Sequence, residues 1–141
     1  MQQASNVEIP EWAKNLSSAY DEKLGLVYEE ISMDCVRAKA PVKGNTQPFG
    51  FWHGGASATL VETVGSTGAL LYAHPNVVVG TELNISHHRP GTGEWIHAEA
   101  RPLHLGRTTT NHEVRIFDEN GQHLATGRIS CRIVDLEGRP I

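Results

Sequence analysis

Residues 53–73 read HGGASATLVETVGSTGALLYA, a run that is apolar at helical spacing and unusually rich in small residues. The spacing predicts one long helix from about Gly55 to Ala73. Glycine inside a helix costs about 1 kcal/mol relative to alanine, so Gly65 and Gly68 indicate the close approach of another backbone. We therefore expect this helix to pack tightly against a sheet.

The same helix carries a short polar stripe. Glu62 and Ser66 are four residues apart and therefore share one face of the helix. The apolar neighbours of Glu62 predict that this helix is mostly buried, and a buried carboxylate is costly unless it is paired or functional. Glu62 is therefore either a satisfied structural glutamate or a catalytic group.

The segments on either side of the helix alternate between apolar and polar residues, as strands do. Six strands are predicted, at about 26–33, 36–42, 77–85, 94–105, 108–118 and 123–134. In the third of them, Val79, Thr81, Leu83 and Ile85 are expected to share one face. The order β-β-α-β-β-β-β predicts an α+β domain with an antiparallel sheet wrapped on the helix.

The length of 141 residues predicts one domain, residues 1–141. Residues 1–23 form an N-terminal helical extension, in which the apolar spacing predicts a short helix from about Glu11 to Tyr20.

The composition excludes several classes of function. Lys and Arg number 12 against 16 Asp and Glu, a net charge of −4, which gives no basic field for nucleic acid. Cys35 and Cys131 have no CxxC spacing and are expected to be reduced thiols. The eight histidines show no metal-ligand spacing, so no metal and no resident cofactor is expected. Without a signal peptide or a membrane span, a cytoplasmic protein is expected.

The start of the long helix is a candidate site. The first N–H groups of a helix have no partner within it and lie at the positive end of its dipole. Glycine allows a substrate oxygen to come close to them, so Gly54 and Gly55 either form an oxyanion hole or simply permit a tight turn. A serine hydrolase is disfavoured, because residues 64–68 read VGSTG rather than GxSxG and Ser66 lies within a helix.

Three stretches together resemble the hotdog-fold acyl-CoA thioesterases. They are Gln47-Pro48-Phe49-Gly50 followed by His53-Gly54-Gly55, then Glu62 with Ser66, then Asn84-Ile85-Ser86-His87-His88-Arg89-Pro90. The nearest branch is that of 1,4-dihydroxy-2-naphthoyl-CoA thioesterase, the phenylacetate-degradation thioesterases and the second subtype of 4-hydroxybenzoyl-CoA thioesterase. The likeness covers about residues 24–134. It implies a hotdog fold, self-association into dimers or tetramers, and an active site at the subunit interface.

The resemblance also implies roles for individual residues on an acyl-CoA substrate. The Gly54 N–H and the side chain of Gln47 polarise the thioester carbonyl, and His53 orients the thioester or its leaving group. Glu62, from the other subunit, is the nucleophile or the general base, and the sequence does not choose between them.

Two further groups assist in that scheme. Ser66 holds the attacking water or orients Glu62. His87 matches a histidine of the family better than His88 does.

For the CoA moiety, the resemblance points to two places. Arg89 matches a phosphate-contacting arginine, and Gly106-Arg107-Thr108 matches a Gly-Ser-Thr or Gly-Ser-Arg loop in which Arg107 replaces serine. The alternative is that both arginines are solvated surface residues that do not bind CoA.

The nature of the acyl group rests on neighbouring aromatic residues. Phe49, Phe51 and Trp52 favour an aromatic acyl group, or they belong to the core. Alternatives to hydrolysis are a non-catalytic acyl-CoA-binding hotdog protein and a hotdog hydratase or dehydratase, which usually needs a His–Asp or His–Glu pair.

Overall fold

The computed structural model describes residues 1–4, 6–16 and 18–141. Its elements follow the predicted order, with one long helix between the second and third of six strands. They are a 3₁₀ turn at Glu11–Ala13, α1 at Ala19–Leu24, β1 at Val27–Ile31, β2 at Val36–Pro41, α2 at Gly54–Ala73, β3 at Val77–His87, β4 at Trp95–Leu105, β5 at Thr109–Phe117 and β6 at His123–Val134.

The six strands form one sheet in the order β1-β2-β4-β5-β6-β3, and every neighbouring pair is antiparallel. Helix α2 packs against β2 to β6, so the sheet wraps it. Because β3 pairs with β6 on one side, its other edge has no partner strand within the described chain. The predicted α+β architecture is confirmed. No helix in the described ranges is both long enough and apolar enough to cross a membrane.

The core lies between α2 and the concave face of the sheet. Its fully buried side chains include Leu60, Val61, Val64, Ile96, Val114, Ile116 and Ile129. The glycines of α2 permit the close approach that the sequence indicates: a Cβ on Gly65 would collide with Ile129, and one on Gly68 would lie 2.8 Å from His112 Nε2. Cys35 and Cys131 are both buried free thiols.

The N-terminal segment differs from the prediction of a single helix from Glu11 to Tyr20. The structure has a 3₁₀ turn at Glu11–Ala13 and a separate helix that begins at Ala19. Ser18 is the N-cap of that helix, and its Oγ accepts a hydrogen bond from the Asp21 N–H at 3.2 Å. A capping hydroxyl therefore sets the helix start where apolar spacing alone predicts a continuous helix.

Strand β3 departs from simple alternation at a β-bulge between Gly80 and Glu82. Leu83 and Ile85 pack against the core as predicted, but before the bulge it is Val78 that does so, and Val79 is 48% exposed. The extra residue of a bulge reverses which side chains face inward. The expectation that Val79 shares a face with Leu83 and Ile85 is therefore wrong.

Candidate active site

Helix α2 begins with His53 as its N-cap. The His53 backbone is extended, and its Nδ1 accepts a hydrogen bond from the Gly55 N–H at 2.8 Å. In the neutral imidazole the proton is then on Nε2, which can donate. Within residues 1–4, 6–16 and 18–141, no acceptor takes the Gly54 N–H. This donor at the positive end of the helix is therefore available to a carbonyl oxygen.

A cavity of about 390 Å³, which we call the helix-start cavity, adjoins Gly54. Gln47, His87 and Arg89 are among its lining residues. The Gln47 side-chain oxygen accepts a hydrogen bond from the Phe49 N–H, which leaves its NH₂ group as a donor. The structure thus gathers a backbone donor, an amide donor, an imidazole and a guanidinium around one small cavity.

His87 lies against Gly54 at the helix start, and His88 lines the same cavity. A Cβ on Gly54 would lie 3.1 Å from His87 Cε1, so the imidazole occupies the space that a side chain would need. The ring of His88 instead lies beside Thr126, with Nε2 at 3.0 Å from the hydroxyl oxygen. His87 is therefore the histidine next to Gly54, and its role in the reaction stays a prediction.

Glu62 is exposed in the single chain, which corrects the expectation of a buried position. Its face of α2 lies beside β3, the edge strand, where no further strand of the described chain covers it. The carboxylate sits against Gly80, since a Cβ there would lie 2.5 Å from Glu62 Oε1. Gly80 is a site residue that the sequence analysis missed. A glycine after three valines in a strand was the signal, because it marks a bulge or a close approach.

Ser66 lies one turn beyond Glu62 and is partly buried. Its Oγ is 3.7 Å from Cys131 Sγ rather than bonded to the Glu62 carboxylate. Burial raises the pKa of the Cys131 thiol, and the charge of Glu62 adds to that effect, so the sulfur stays protonated at neutral pH. Ser66 also borders a second, larger cavity of about 980 Å³.

The predicted catalytic residues form two groups in one chain. Gln47, His53, Gly54 and His87 meet at the helix start, whereas Glu62 and Ser66 lie further along α2. Glu62 is eight residues from Gly54, which is about 12 Å at 1.5 Å per residue. Both groups therefore cannot contact the same thioester carbonyl within a single chain.

The predicted CoA-binding residues are also separated. Arg89 is exposed and donates its backbone N–H to the Leu124 carbonyl at the start of β6. Gly106, Arg107 and Thr108 connect β4 to β5, and the Thr108 carbonyl accepts from the Ile133 N–H near the end of β6. Nine residues of extended strand, about 30 Å, separate the two contact points on β6.

One long helix held in a curved antiparallel sheet, with a glycine-rich start facing a polar cavity, is the hotdog arrangement of thioester hydrolases. The sequence profile described as "Thioesterase superfamily" matches residues 49–125, more than half of the chain. Two curated relatives are proofreading thioesterases EntH. The one from Klebsiella pneumoniae is 43% identical over 113 residues, 79% of this chain and 82% of the relative. The one from Cronobacter sakazakii is 44% identical over 115 residues, 80% and 84% of the two chains.

A solved structure gives the same result. Thioesterase HI1161 from Haemophilus influenzae superposes with a TM-score of 0.81 at 30% identity, over 89% of this chain and 87% of that chain. The chain belongs to the thioesterase superfamily. It is a thioester hydrolase with a hotdog fold.

Proposed function

We propose that the protein hydrolyses an acyl-CoA thioester with an aromatic acyl group to the free acid and CoA, in an active site formed by two subunits. The observation that carries this proposal is the layout of α2. Its start offers the Gly54 N–H beside a polar cavity, and the Glu62 carboxylate lies about 12 Å further along the same helix. One chain therefore carries both the Gly54 donor and the Glu62 carboxylate, but holds them too far apart to act on one thioester.

The edge strand β3 supports the pairing of two subunits. An unpartnered strand edge is a template for pairing with another chain. Two-fold antiparallel pairing of Val77–His87 about its middle would place the His87 end of one strand against the Val77 end of the other. His87 packs over Gly54, and Val78 borders the cavity beside Ser66. The helix start of one subunit would then face the Glu62 of its partner. A tetramer made of two such dimers stays a prediction.

The chemistry at the helix start follows from its donors. The thioester carbonyl oxygen accepts hydrogen bonds from the Gly54 N–H and the Gln47 amide, which stabilise the negative charge that develops on it. His53 and His87 also lie at the start of α2. They orient the thioester or its sulfur, and His53 can donate the proton on its Nε2. CoA enters only as part of the substrate, and no resident cofactor is needed. The cytoplasmic location that the sequence predicts is part of this proposal.

Glu62 can complete the reaction in two ways. As a nucleophile, its oxygen bonds to the carbonyl carbon, the C–S bond breaks, CoA leaves as a thiolate that takes up a proton, and water then cleaves the anhydride. As a general base, it accepts a proton from water while the hydroxide attacks the same carbon. The C–S bond then breaks, and the CoA thiolate takes up the proton that Glu62 holds. Ser66, one turn away, is placed to hold the water or to orient the carboxylate.

The two-fold pairing also supports the CoA assignment. It would bring Arg89 of one subunit to the end of the sheet where the partner carries Gly106, Arg107 and Thr108. An arginine at this position would bind a CoA phosphate through paired N–H donors. The separation of about 30 Å within one chain is then no obstacle.

The aromatic residues of the loop before α2 divide into two roles. Trp52 is buried, and its Nε1–H donates to Ser57 Oγ at 2.7 Å, so it belongs to the core. Phe51 is partly exposed and lines the helix-start cavity. Phe49 is 84% exposed. The phenyl ring of Phe51 at the proposed substrate entrance supports an aromatic acyl group.

Replacing Glu62 by alanine tests the proposal. We expect kcat for an aromatic acyl-CoA, followed by release of the free thiol, to fall by about a thousandfold or more while the protein stays folded, because Glu62 is exposed. Glu137→Ala, which removes another exposed carboxylate, should leave kcat unchanged. A Glu62→Ala variant that kept more than about a tenth of kcat, a difference of only ~1.4 kcal/mol in the barrier, would exclude Glu62 as the catalytic residue.

A further inference from the structure

Cys131 of β6 lies beside the carboxylate that is proposed to attack the thioester. The thiol is fully buried, and its residue is directly opposite Gly80 in the pairing of β3 with β6. Residues that lie directly opposite in an antiparallel pair have Cα atoms about 5 Å apart. Since Glu62 packs on Gly80, Cys131 is one strand away from the backbone that supports the carboxylate.

The residue of α2 that contacts this thiol is Ser66. Its Oγ lies 3.7 Å from Cys131 Sγ, within hydrogen-bond distance for sulfur. Glu62 and Ser66 are one helical turn apart on α2, and Gly80 and Cys131 are neighbours on the sheet. The carboxylate and the hydroxyl of one helix face are therefore packed against adjacent positions of two paired strands.

The direction of the bond between Ser66 and Cys131 follows from the charge nearby. Burial raises the pKa of Cys131 and the charge of Glu62 adds to that effect, so the thiol keeps its proton. A serine hydroxyl can donate one hydrogen bond and accept two, and a thiol has one S–H to donate. Because a carboxylate is a charged acceptor, the Ser66 hydroxyl gains most by donating to Glu62 or to a water bound to it. The S–H of Cys131 is then the donor to Ser66 Oγ.

Two threonines of α2 show what the Ser66 hydroxyl would do without the thiol. Thr59 and Thr67 each donate to the main-chain carbonyl four residues earlier, at 3.1 and 2.9 Å. Hydroxyl side chains within helices commonly form this bond. For Ser66 the carbonyl four residues earlier is that of Glu62, and a hydroxyl bonded there would donate nothing to the water or to the carboxylate.

We propose that Cys131 is a positioning residue for thioester hydrolysis, because its S–H holds the Ser66 side chain where the hydroxyl can donate to the attacking water or to Glu62. This inference rests on the proposed function. In this scheme Cys131 does not contact the substrate and exchanges no proton with it. Loss of the thiol should therefore lower kcat and leave KM nearly unchanged.

Threonine and valine at position 131 form a matched pair of test variants. They have nearly the same shape and differ in a hydroxyl against a methyl group, so the effect of the added bulk is common to both. We expect Cys131→Thr to keep kcat within about threefold, because its hydroxyl replaces the thiol as the donor to Ser66. Cys131→Val should lower kcat about tenfold, the effect of one hydrogen bond, with KM little changed. Thiol release from benzoyl-CoA, or from octanoyl-CoA if benzoyl-CoA is not hydrolysed, gives both constants.

A second background separates positioning from packing. In Ser66→Ala the hydroxyl that Cys131 is proposed to hold is absent, so threonine and valine at position 131 should give equal rates there. Those rates are measured with enzyme in excess over substrate, which detects slow turnover. Cys35→Val removes the other buried thiol, just before β2, and should leave kcat unchanged. If Cys131→Val does not fold, Cys131→Ser and Cys131→Ala make the same comparison without added bulk.

Two results would overturn the inference. Equal kcat values for Cys131→Thr and Cys131→Val would show that the hydrogen bond has no effect on the reaction. A difference between them that persisted in Ser66→Ala would show that Cys131 acts through another group.

The failure of the proposed function looks different. If the unsubstituted protein released no thiol from benzoyl-CoA or from straight-chain acyl-CoAs, the proposed function would fall, and this inference with it. If thiol release did not depend on Glu62, the catalytic scheme would be refuted before any Cys131 variant is compared.

Discussion

The imidazoles of His53 and His87 determine which backbone N–H at the start of α2 can bind a substrate. His53 takes the Gly55 N–H, and His87 packs where a side chain on residue 54 would lie. The Gly54 N–H is thereby the donor left for a substrate, and glycine suits this position because a Cβ would lie 3.1 Å from His87 Cε1, a tight contact. The residue that predicts an oxyanion hole from sequence is thus also constrained by packing.

Arg89 is expected to serve CoA binding and not the chemical step. It is exposed at the rim of the helix-start cavity. Arg89→Ala should raise KM for acyl-CoA about tenfold with little change in kcat, because the contact is shared by ground and transition states. Added salt should reproduce part of this effect in the unsubstituted protein, since exposed charges are screened over about 8 Å at physiological ionic strength.

Two controls accompany that measurement. Lys43→Ala removes a cation from the exposed loop before the site and should leave KM unchanged. A short thioester that lacks the nucleotide should react equally with the unsubstituted enzyme and with Arg89→Ala. If Arg89→Ala impaired hydrolysis of the short thioester as strongly as that of acyl-CoA, Arg89 would be structural.

Among the elements, β3 connects the fold to the chemistry. Its bulge at Gly80 brings bare backbone against the Glu62 carboxylate. Gly80→Ala would place a Cβ 2.5 Å from Oε1, so the carboxylate would have to turn away. We expect kcat to fall by about 100-fold with KM little changed, because a small displacement of a catalytic group has an effect of that size. Steady-state kinetics with thiol detection measures both constants.

Val79→Ala, one residue away on the same exposed edge, is the matched control and should retain kcat. If both variants lost activity together, the effect would belong to the strand edge as a whole. A fully active Gly80→Ala variant would show that the position of the Glu62 carboxylate seen here is not the working one.

The buried histidine of β5 makes stability depend on pH. His112 is 2% exposed, and burial lowers its pKa to about 4, whereas in the unfolded chain it is about 6.5. Between these values the unfolded state binds a proton that the folded state does not. The free energy of unfolding should therefore fall by up to about 3 kcal/mol as the pH drops from above 6.5 to 4.

Denaturant unfolding across that pH range checks this prediction. His112→Gln should flatten the dependence, whereas His104→Gln, at an exposed position, should leave it as in the unsubstituted protein. Profiles of the unsubstituted protein and His112→Gln that run parallel from pH 7 to pH 4 would contradict a depressed pKa at His112.

The sequence predicts the helices and strands better than it predicts where a helix starts or a strand bulges. Regular alternation gives β2 with Ala38 and Ala40 buried, and helical spacing gives α2. The Ser18 cap and the Gly80 bulge depend on single hydrogen bonds and close contacts, which periodicity does not register. The exposure of Glu62 follows from its place beside an edge strand, and strand order cannot be deduced from alternation.

For the whole molecule, the central point is that one chain carries two separated halves of the proposed catalytic site. The helix start with Gln47 lies at one end and Glu62 about 12 Å along α2. Pairing of β3 across a two-fold axis would place the helix start of each subunit beside Glu62 of the other, so each dimer would have two complete sites. Such an arrangement predicts that a monomer is inactive, and sedimentation at micromolar concentration should find a dimer or tetramer.

Subunit complementation tests that claim most directly. Glu62→Ala and Gln47→Ala should each be nearly inactive alone, because each damages both sites of its own dimer. After unfolding and refolding the two together, half of the dimers are mixed, and each has one site with Gln47 and Glu62 both intact. The mixture should therefore recover about a quarter of the activity of the unsubstituted protein, as random pairing in a two-fold dimer requires. Activity that stays at the mean of the two separate variants would contradict a site shared between subunits.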